Sequence, residues 1–404
     1  MTVGIAALGA RLGLSGGINV YTMDLVQALA DHSRRYDYVV MVSGSMETWQ
    51  FRAWPRHIRF VNLDHPHRRL DHVRHARWLI KRILGDQAMD LGAYLDIESL
   101  NSVLLREDIQ VLHYPKTAIP PRHRPLRVPM VLTFFDMQHE YMPEFFTEEE
   151  LKERKKIFRP SAERADVIIA PSAFTARSLS EKFMIQEEKI TSIPVGVPRN
   201  CRRISPGAVA SIRGKYRLPD HYMIYPANPW QHKNHARLMA ALRLLKERRS
   251  LKVNLVLTGK LQNTTWSAMP LALAAGIEDQ VHDLGFVPSE EMPALYSGAD
   301  MLIFPSLFEG FGIPLLEAMA CGIPVAAART TSIPDVVGDA ALLFDPLSPD
   351  DIAETIYRVM SDSNLAGDLA RRGLGRAERF AWPVLVEALE EVYAKASLVG
   401  RQSD

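Results

Sequence analysis

Two carboxylates, Glu309 and Glu317, stand with seven residues between them in the stretch Phe304-Pro-Ser-Leu-Phe-Glu309-Gly-Phe-Gly-Ile-Pro-Leu-Leu-Glu317-Ala-Met-Ala-Cys-Gly322. The apolar run that ends at Phe304 and is closed by Pro305 and Ser306 reads as a buried strand. Pro314 suits the first turn of a helix and Gly322 its end. Gly310 and Gly312 leave the backbone bare between strand and helix, where unpaired N–H groups and the positive end of the helix dipole attract phosphate. Glu309 then lies in the loop, Glu317 about one turn into the helix, and both face one crevice. This is an arrangement for holding a polyhydroxylated, phosphorylated ligand.

Two other segments are candidates for the same crevice. In Tyr225-Pro-Ala-Asn-Pro-Trp-Gln-His-Lys-Asn234 a strand end runs into a helix that begins near Asn234, and Lys233 is a point charge suited to a diphosphate. Gly9-Ala-Arg-Leu-Gly13-Leu-Ser-Gly16-Gly17 joins the strand Val3 to Leu8 to a helix over Val20 to Leu29. That loop departs from G-x-G-x-x-G, and no G-x-x-x-x-G-K-[ST] occurs, so neither a hydride-transfer cofactor nor a P-loop is supported.

The elements that must carry these segments alternate throughout. Strands are expected at 38–42, 111–113, 128–133 and 167–170, with Asn19 and Ser172 placed to cap helices. The segment Ser192 to Asn200, with two prolines and a glycine, reads as a passage between domains. Strands then recur at 222–225, 253–258, 281–286, 301–304 and 324–327, separated by helical patterns that make the sheet parallel. The expected fold is α/β, with two Rossmann-like doubly wound domains facing a cleft at the carboxyl ends of their strands. Residues 1–197 form the first domain and 198–381 the second.

With 404 residues the chain is too long for one ordinary core. A net charge of +1 gives no global reason to expect nucleic acid. No stretch approaches the roughly 18 apolar residues of a membrane span, and no signal-like segment opens the chain, so a cytoplasmic protein is expected. The two cysteines, Cys201 and Cys321, have no metal-ligand spacing, which argues against a disulfide framework or a zinc site. Between Arg68 and Leu84 five further basic residues face only Asp71. That segment, 68–84, is either a basic amphipathic helix for anionic lipid or a phosphorylated acceptor, or a solvated surface helix.

The Glu309 to Glu317 segment resembles the E-x7-E signature of retaining nucleotide-sugar glycosyltransferases of the GT-B fold, in particular glycosyltransferase family 4. Gly13 to Gly17 is similar to the family's N-terminal glycine loop, Pro226 to Asn234 to its phosphate-binding segment, and Leu284 to Asp300 to its approach to the signature. The resemblance implies that the C-terminal domain binds the sugar nucleotide and the N-terminal domain the acceptor, with a last helix, about 382–404, crossing back. It places Glu317 on the ribose hydroxyls, Glu309 near the transferred sugar, and the Gly310, Phe311 and Gly312 amides on sugar and diphosphate. Lys233 would neutralise the departing diphosphate. Gly16, Gly17, Asn228, His232 and Val287 complete the implied donor site, and Asp136 and His139 the catalytic set.

This sequence departs from the family at two points. Ala227 and Asn228 stand where many relatives carry an arginine, leaving His232 or a distant arginine to compensate. Phe135 stands where many carry a histidine before the aspartate, here Asp136. His139, three residues on, is the candidate for the lost imidazole, and His113, at a strand end, is a weaker one. No cofactor is expected, and without a D-x-D no metal. The partners are a GDP- or UDP-linked sugar, with GDP-mannose favoured over UDP-glucose or UDP-GlcNAc, and a saccharide or lipid-linked saccharide acceptor. The rival readings are an epimerase or phosphorylase on the same architecture, or a scaffold that binds the donor without turnover.

Overall fold

The computed structural model describes residues 1–8, 17–42, 53–63, 100–119, 128–259 and 268–400. Gly16, the basic segment 68–84 and the tail 401–404 lie outside them. Among the described residues the chain builds two parallel sheets. The first contains β1 (Thr2–Ala6), β2 (Asp37–Val42), β3 (Ile58–Asn62), β4 (Ile109–Tyr114), β5 (Met130–Thr133), β6 (Val167–Ala170) and β7 (Ile190–Ser192), in the order β3-β2-β1-β4-β5-β6-β7. The second contains β8 (Met223–Pro226), β9 (Leu255–Thr258), β10 (Val281–Asp283), β11 (Met301–Phe304), β12 (Val325–Ala328) and β13 (Ala341–Phe344), in the order β10-β9-β8-β11-β12-β13.

All pairings are parallel, so every connection must cross the sheet, and helices cover both faces. The inner strands are accordingly apolar without alternation. Met301, Leu302, Ile303 and Phe304 of β11 are all fully buried, as are Val167 to Ala170 of β6. In each sheet the winding reverses once, between β1 and β4 and between β8 and β11, which leaves a crevice at the carboxyl ends of those pairs.

Local chemistry fixes the helix starts. Ser172 caps the helix Ala173–Phe183 by accepting from Thr175 N at 3.1 Å. Thr147 and Glu150 form a reciprocal capping box at the start of Glu148–Arg164. Asn19 does not stand at the cap position: the helix Gly17–His32 begins two residues before it, so Asn19 lies in the first turn.

The last helix, Trp382–Gly400, packs on the first domain. Tyr393 Oη and His113 Nδ1 are 2.9 Å apart, while Ser33 Oγ donates to Glu390 Oε1 at 2.5 Å. Where the chain passes between domains, Trp382 Nε1 donates to Val197 O at 3.1 Å. A Cβ on Gly196 would lie 2.4 Å from the Trp382 ring, so only glycine admits the indole there.

Candidate active site

The crevice at β8 and β11 is built from the loops that leave those strands. After β8 the chain makes a single 3-10 turn, Gln231–Lys233, and Asn234 takes a left-handed conformation, φ 61°, before the helix His235–Arg249. The buried Tyr225 hydroxyl donates to Lys233 O at 2.8 Å, and Leu307 N of the second loop donates to His232 O at 2.7 Å. Asn234 Nδ2 donates to Pro305 O and Pro346 O at 3.0 and 2.7 Å. These bonds lock the two loops together at the point where Lys233 emerges.

Lys233 Nζ donates to Glu309 Oε1 at 2.6 Å, and both side chains are about one-seventh exposed, 15% and 13%. The pair is therefore largely screened from solvent. Gly312 has φ 95° and begins the helix Ile313–Ala320, with Pro314 in its first turn, so backbone amides point into the same space. From the first domain Gly17 comes close to Ile313: a Cβ added to Gly17 would lie 3.2 Å from its Cδ1. Two helix starts thus meet across the cleft.

Glu317, one turn into its helix, is partly exposed and accepts from Tyr296 Oη at 2.5 Å. Burial raises its pKa above the ordinary carboxylate value, and the tyrosine bond opposes that rise. Asp24, on the helix Gly17–His32, is raised to about 6, by burial first, with Arg199 opposing and the Glu317 charge adding to it. Nothing in the local sequence marks Asp24 or Tyr296 as neighbours of Glu317, because both arrive through space from other elements.

Asp136 enters from the first domain. A Cβ on Gly310 would lie 2.1 Å from Phe135 O and 2.6 Å from Asp136 Cβ, so these backbones touch. Burial raises the Asp136 pKa, the Glu309 charge adds to the rise, and Arg154 and Lys233 oppose it. Phe135 itself turns into the core and meets Tyr21 edge-on at 5.1 Å. Asn228, Gly259 and Gly285 gather at the ends of β8, β9 and β10: Gly259 N donates to Gly285 O at 2.8 Å, and a Cβ on Gly259 would lie 3.0 Å from Asn228 Oδ1. Val287 is buried and Phe286, beside it, is 48% exposed.

The structure brings together Lys233, Glu309, Asp136, Gly310, Phe311 and Gly312, with Asn228 and His232 in the loop that carries Lys233 and Val287 beyond the end of β10. It does not bring His139. Both the ring and the rest of that side chain are without solvent exposure; the ring lies 5.1 Å from Phe158 and 6.4 Å from Phe183, inside the first domain's core. Burial lowers its pKa to about 4. His113 is likewise internal, between Tyr393 and Thr133 Oγ1 at 2.8 Å, with its pKa lowered to about 3 by burial. His232 stays neutral at pH 7, since burial and the Lys233 charge lower its pKa to about 3, so it does not supply the missing cation. Arg154, over the rings of Phe146 and Phe158 at 4.4 and 5.4 Å, is the guanidinium whose charge reaches both Asp136 and His232. Among the described residues no group of three or more His, Cys, Asp or Glu gathers to hold a metal ion. Cys201 and Cys321 are free and buried.

Two parallel α/β domains, each with a crevice where the winding of its sheet reverses, define a doubly wound two-domain class, which comparison with known proteins narrows to a family. The family profile described as Glycosyltransferase Family 4 matches residues 15–200, and the one described as Glycosyl transferases group 1 matches residues 212–376. O-antigen chain mannosyltransferase B from Escherichia coli is 30% identical over 276 residues, 67% of this chain and 71% of that protein. Sucrose-phosphate synthase from Thermosynechococcus elongatus superposes with a TM-score of 0.71 at 18% identity, covering 98% of each chain. HepE from Anabaena, in complex with UDP-glucose, gives 0.69 at 18% identity, covering 98% of this chain and 100% of that one. The chain belongs to glycosyltransferase family 4 and has the GT-B fold. It is a glycosyltransferase. No helix among the described residues is long and apolar enough to cross a membrane.

Proposed function

We propose that this protein transfers a hexose, with retention of anomeric configuration, from a nucleoside diphosphate donor to a hydroxyl of a saccharide or lipid-linked saccharide during surface polysaccharide assembly. Mannose from GDP-mannose is the favoured donor, a choice supported by the mannosyltransferase at 30% identity. The observation that carries the reading is the Lys233 to Glu309 pair, 2.6 Å apart, at the foot of a glycine-started helix. In the absence of donor each charge answers the other. With donor bound, Lys233 turns to the diphosphate and Glu309 is released to accept from the sugar's hydroxyls, while Glu317 accepts from the ribose.

Breaking the anomeric bond puts positive charge on the sugar ring and negative charge on the leaving phosphate. Lys233, once it has turned from Glu309, and the amides at Gly310 to Gly312 would face the oxygens where that negative charge grows and so lower the barrier. The paired-carboxylate glycosidase route needs two acids flanking the scissile bond. Here one carboxylate is paired with a lysine and the other with a tyrosine. The departing phosphate is the better base, taking the acceptor's proton on the same face that it leaves, with Asp136 orienting that hydroxyl from the first domain. Lys233 and the helix start carry the charge that a metal would otherwise carry, so transfer should persist in chelator; loss in chelator with recovery on manganese would reject this. The protein works at the inner face of the membrane, where a lipid-linked acceptor is presented.

A thermal-shift panel of GDP, UDP and their sugars tests the donor assignment. A ligand at 100 times its dissociation constant stabilises by about 2.7 kcal/mol. GDP and GDP-mannose should raise the melting temperature more than UDP and UDP-glucose at equal concentration. The reverse order would overturn the choice of base.

A further inference from the structure

The loop that carries Glu309 is held from both domains. On its own side Glu309 N donates to Thr331 Oγ1 at 3.1 Å and Ser332 Oγ donates to Glu309 O at 2.9 Å. From the first domain the Ser172 and Thr175 hydroxyls donate to Gly310 O at 2.9 and 3.2 Å. Phe308, one residue earlier, is only 3% exposed although it belongs to a loop. What buries it is the other domain. Its ring centroid lies 5.5 Å from that of Tyr141 and 5.7 Å from that of Phe174, and those two are 5.4 Å from each other, so the three rings close a triangle across the cleft.

Both first-domain rings are themselves fixed. Tyr141 Oη and Ser178 Oγ are 2.8 Å apart, and Lys182 Nζ stands 4.9 Å from the centre of the Tyr141 ring. Phe174 N donates to Asp335 Oδ2 at 3.0 Å, a second strap between the domains. Ring contacts of this geometry are attractive, and this triangle exists only while the domains are together. Consecutive residues then point to opposite domains: Phe308 into the Tyr141 and Phe174 walls, Glu309 to Lys233. Both peptide groups of Glu309 are hydrogen-bonded, so its carboxylate cannot move far without moving the ring.

We propose that Phe308 is a closure latch. Seated between Tyr141 and Phe174, it holds the two domains together and in doing so sets the neighbouring Glu309 carboxylate against Lys233 and the donor sugar. Phe308 is a positioning residue that acts through Glu309. The latch rests on the transfer reading for its consequence, but its seat is independent of that reading.

The test uses Phe308→Ala, with Tyr141→Ala and Phe174→Ala removing the walls from the other domain and Tyr141→Phe keeping the ring. Small-angle scattering with GDP as the probe reports closure without turnover, and kinetics with GDP-mannose report transfer. The three alanine variants should each show a larger radius of gyration than wild type, while Tyr141→Phe matches it. Their kcat should fall roughly a hundredfold from misplacement of one carboxylate, with GDP affinity held within about threefold because its contacts are on the second domain. An unchanged radius of gyration in all three alanine variants overturns the latch at any rate of transfer. A parallel loss of GDP affinity and kcat overturns it as well, since general loosening would do that. Absence of transfer by wild type would contradict the functional reading instead, and the scattering would still decide the latch.

Discussion

Lys233 Nζ and Glu309 Oε1, 2.6 Å apart, join the loop after β8 to the loop after β11 by a largely buried pair of opposite charges. A partly buried pair of this kind tolerates loss of both partners better than loss of one, because a lone charge is left poorly solvated. Lys233→Ala should therefore destabilise the protein by about 3 kcal/mol, and adding Glu309→Ala should recover part of that loss. Urea denaturation of the two single variants and the double variant measures the coupling. Transfer should fall ~100- to 1000-fold in Lys233→Ala, the cost of removing one preorganised donor to developing charge. Additive stability losses in the cycle would show that the pair is not an energetic unit.

Gly310→Ala should abolish transfer while sparing nucleotide binding. The added methyl would lie 2.1 Å from Phe135 O, a backbone atom that cannot yield without parting the domains. Calorimetry with GDP against steady-state transfer separates the two effects. A Gly310→Ala enzyme at the wild-type rate would mean that the domains need not approach this closely.

Tyr296→Phe removes the hydroxyl that donates to Glu317 Oε2 at 2.5 Å. That bond is the influence holding down a carboxyl pKa that burial raises. Without it Glu317 protonates more readily, and nucleotide affinity should fall by up to about tenfold, the worth of one hydrogen bond to a charged group, most of all at acidic pH. The loss should shrink as pH rises and Glu317 ionises. GDP titrations across pH check this, and a loss that grows with pH would contradict the role given to Glu317.

His139→Phe should leave transfer at pH 7 within about threefold of wild type. The ring is buried among Phe158 and Phe183, and its pKa is lowered from 6.5 to about 4. The folded protein then binds this proton less well than the unfolded chain, so the stability His139 contributes is complete above pH 6.5 and is lost as pH falls towards 4. Denaturation at stepwise lower pH should favour the variant increasingly over that window. A large loss of transfer at pH 7 would return His139 to the chemistry.

Much of the fold was legible because inner parallel strands are apolar along their whole length. β1, β2, β4 to β6, β8, β9, β11 and β12 all stand out this way. The strands missed, β3, β7 and β13, are sheet edges. β3 reads Ile-Arg-Phe-Val-Asn with an exposed Arg59, and β7 has only three residues, none of them buried, so neither leaves a continuous run. The loop that carries Glu309 was legible for a different reason. Gly310, Gly312 and Pro314 are backbone requirements, and they show in the letters. What escaped was everything that depends on the facing domain. His139 follows Asp136 by three residues, yet the short helix Gln138–Tyr141 turns its ring inward. Phe308 reads as one more apolar residue until Tyr141 and Phe174, over a hundred positions earlier, close on it.

The most direct measurement is the anomeric configuration of the product formed from GDP-mannose and a mannose-terminated oligosaccharide, read from the anomeric signals in the NMR spectrum. The donor's sugar is α-linked, and retention by same-face departure predicts a new α-linked residue, formed by wild type and lost in Lys233→Ala and Glu309→Ala. A β-linked product, or an α-linked product made equally well by both variants, would contradict the account.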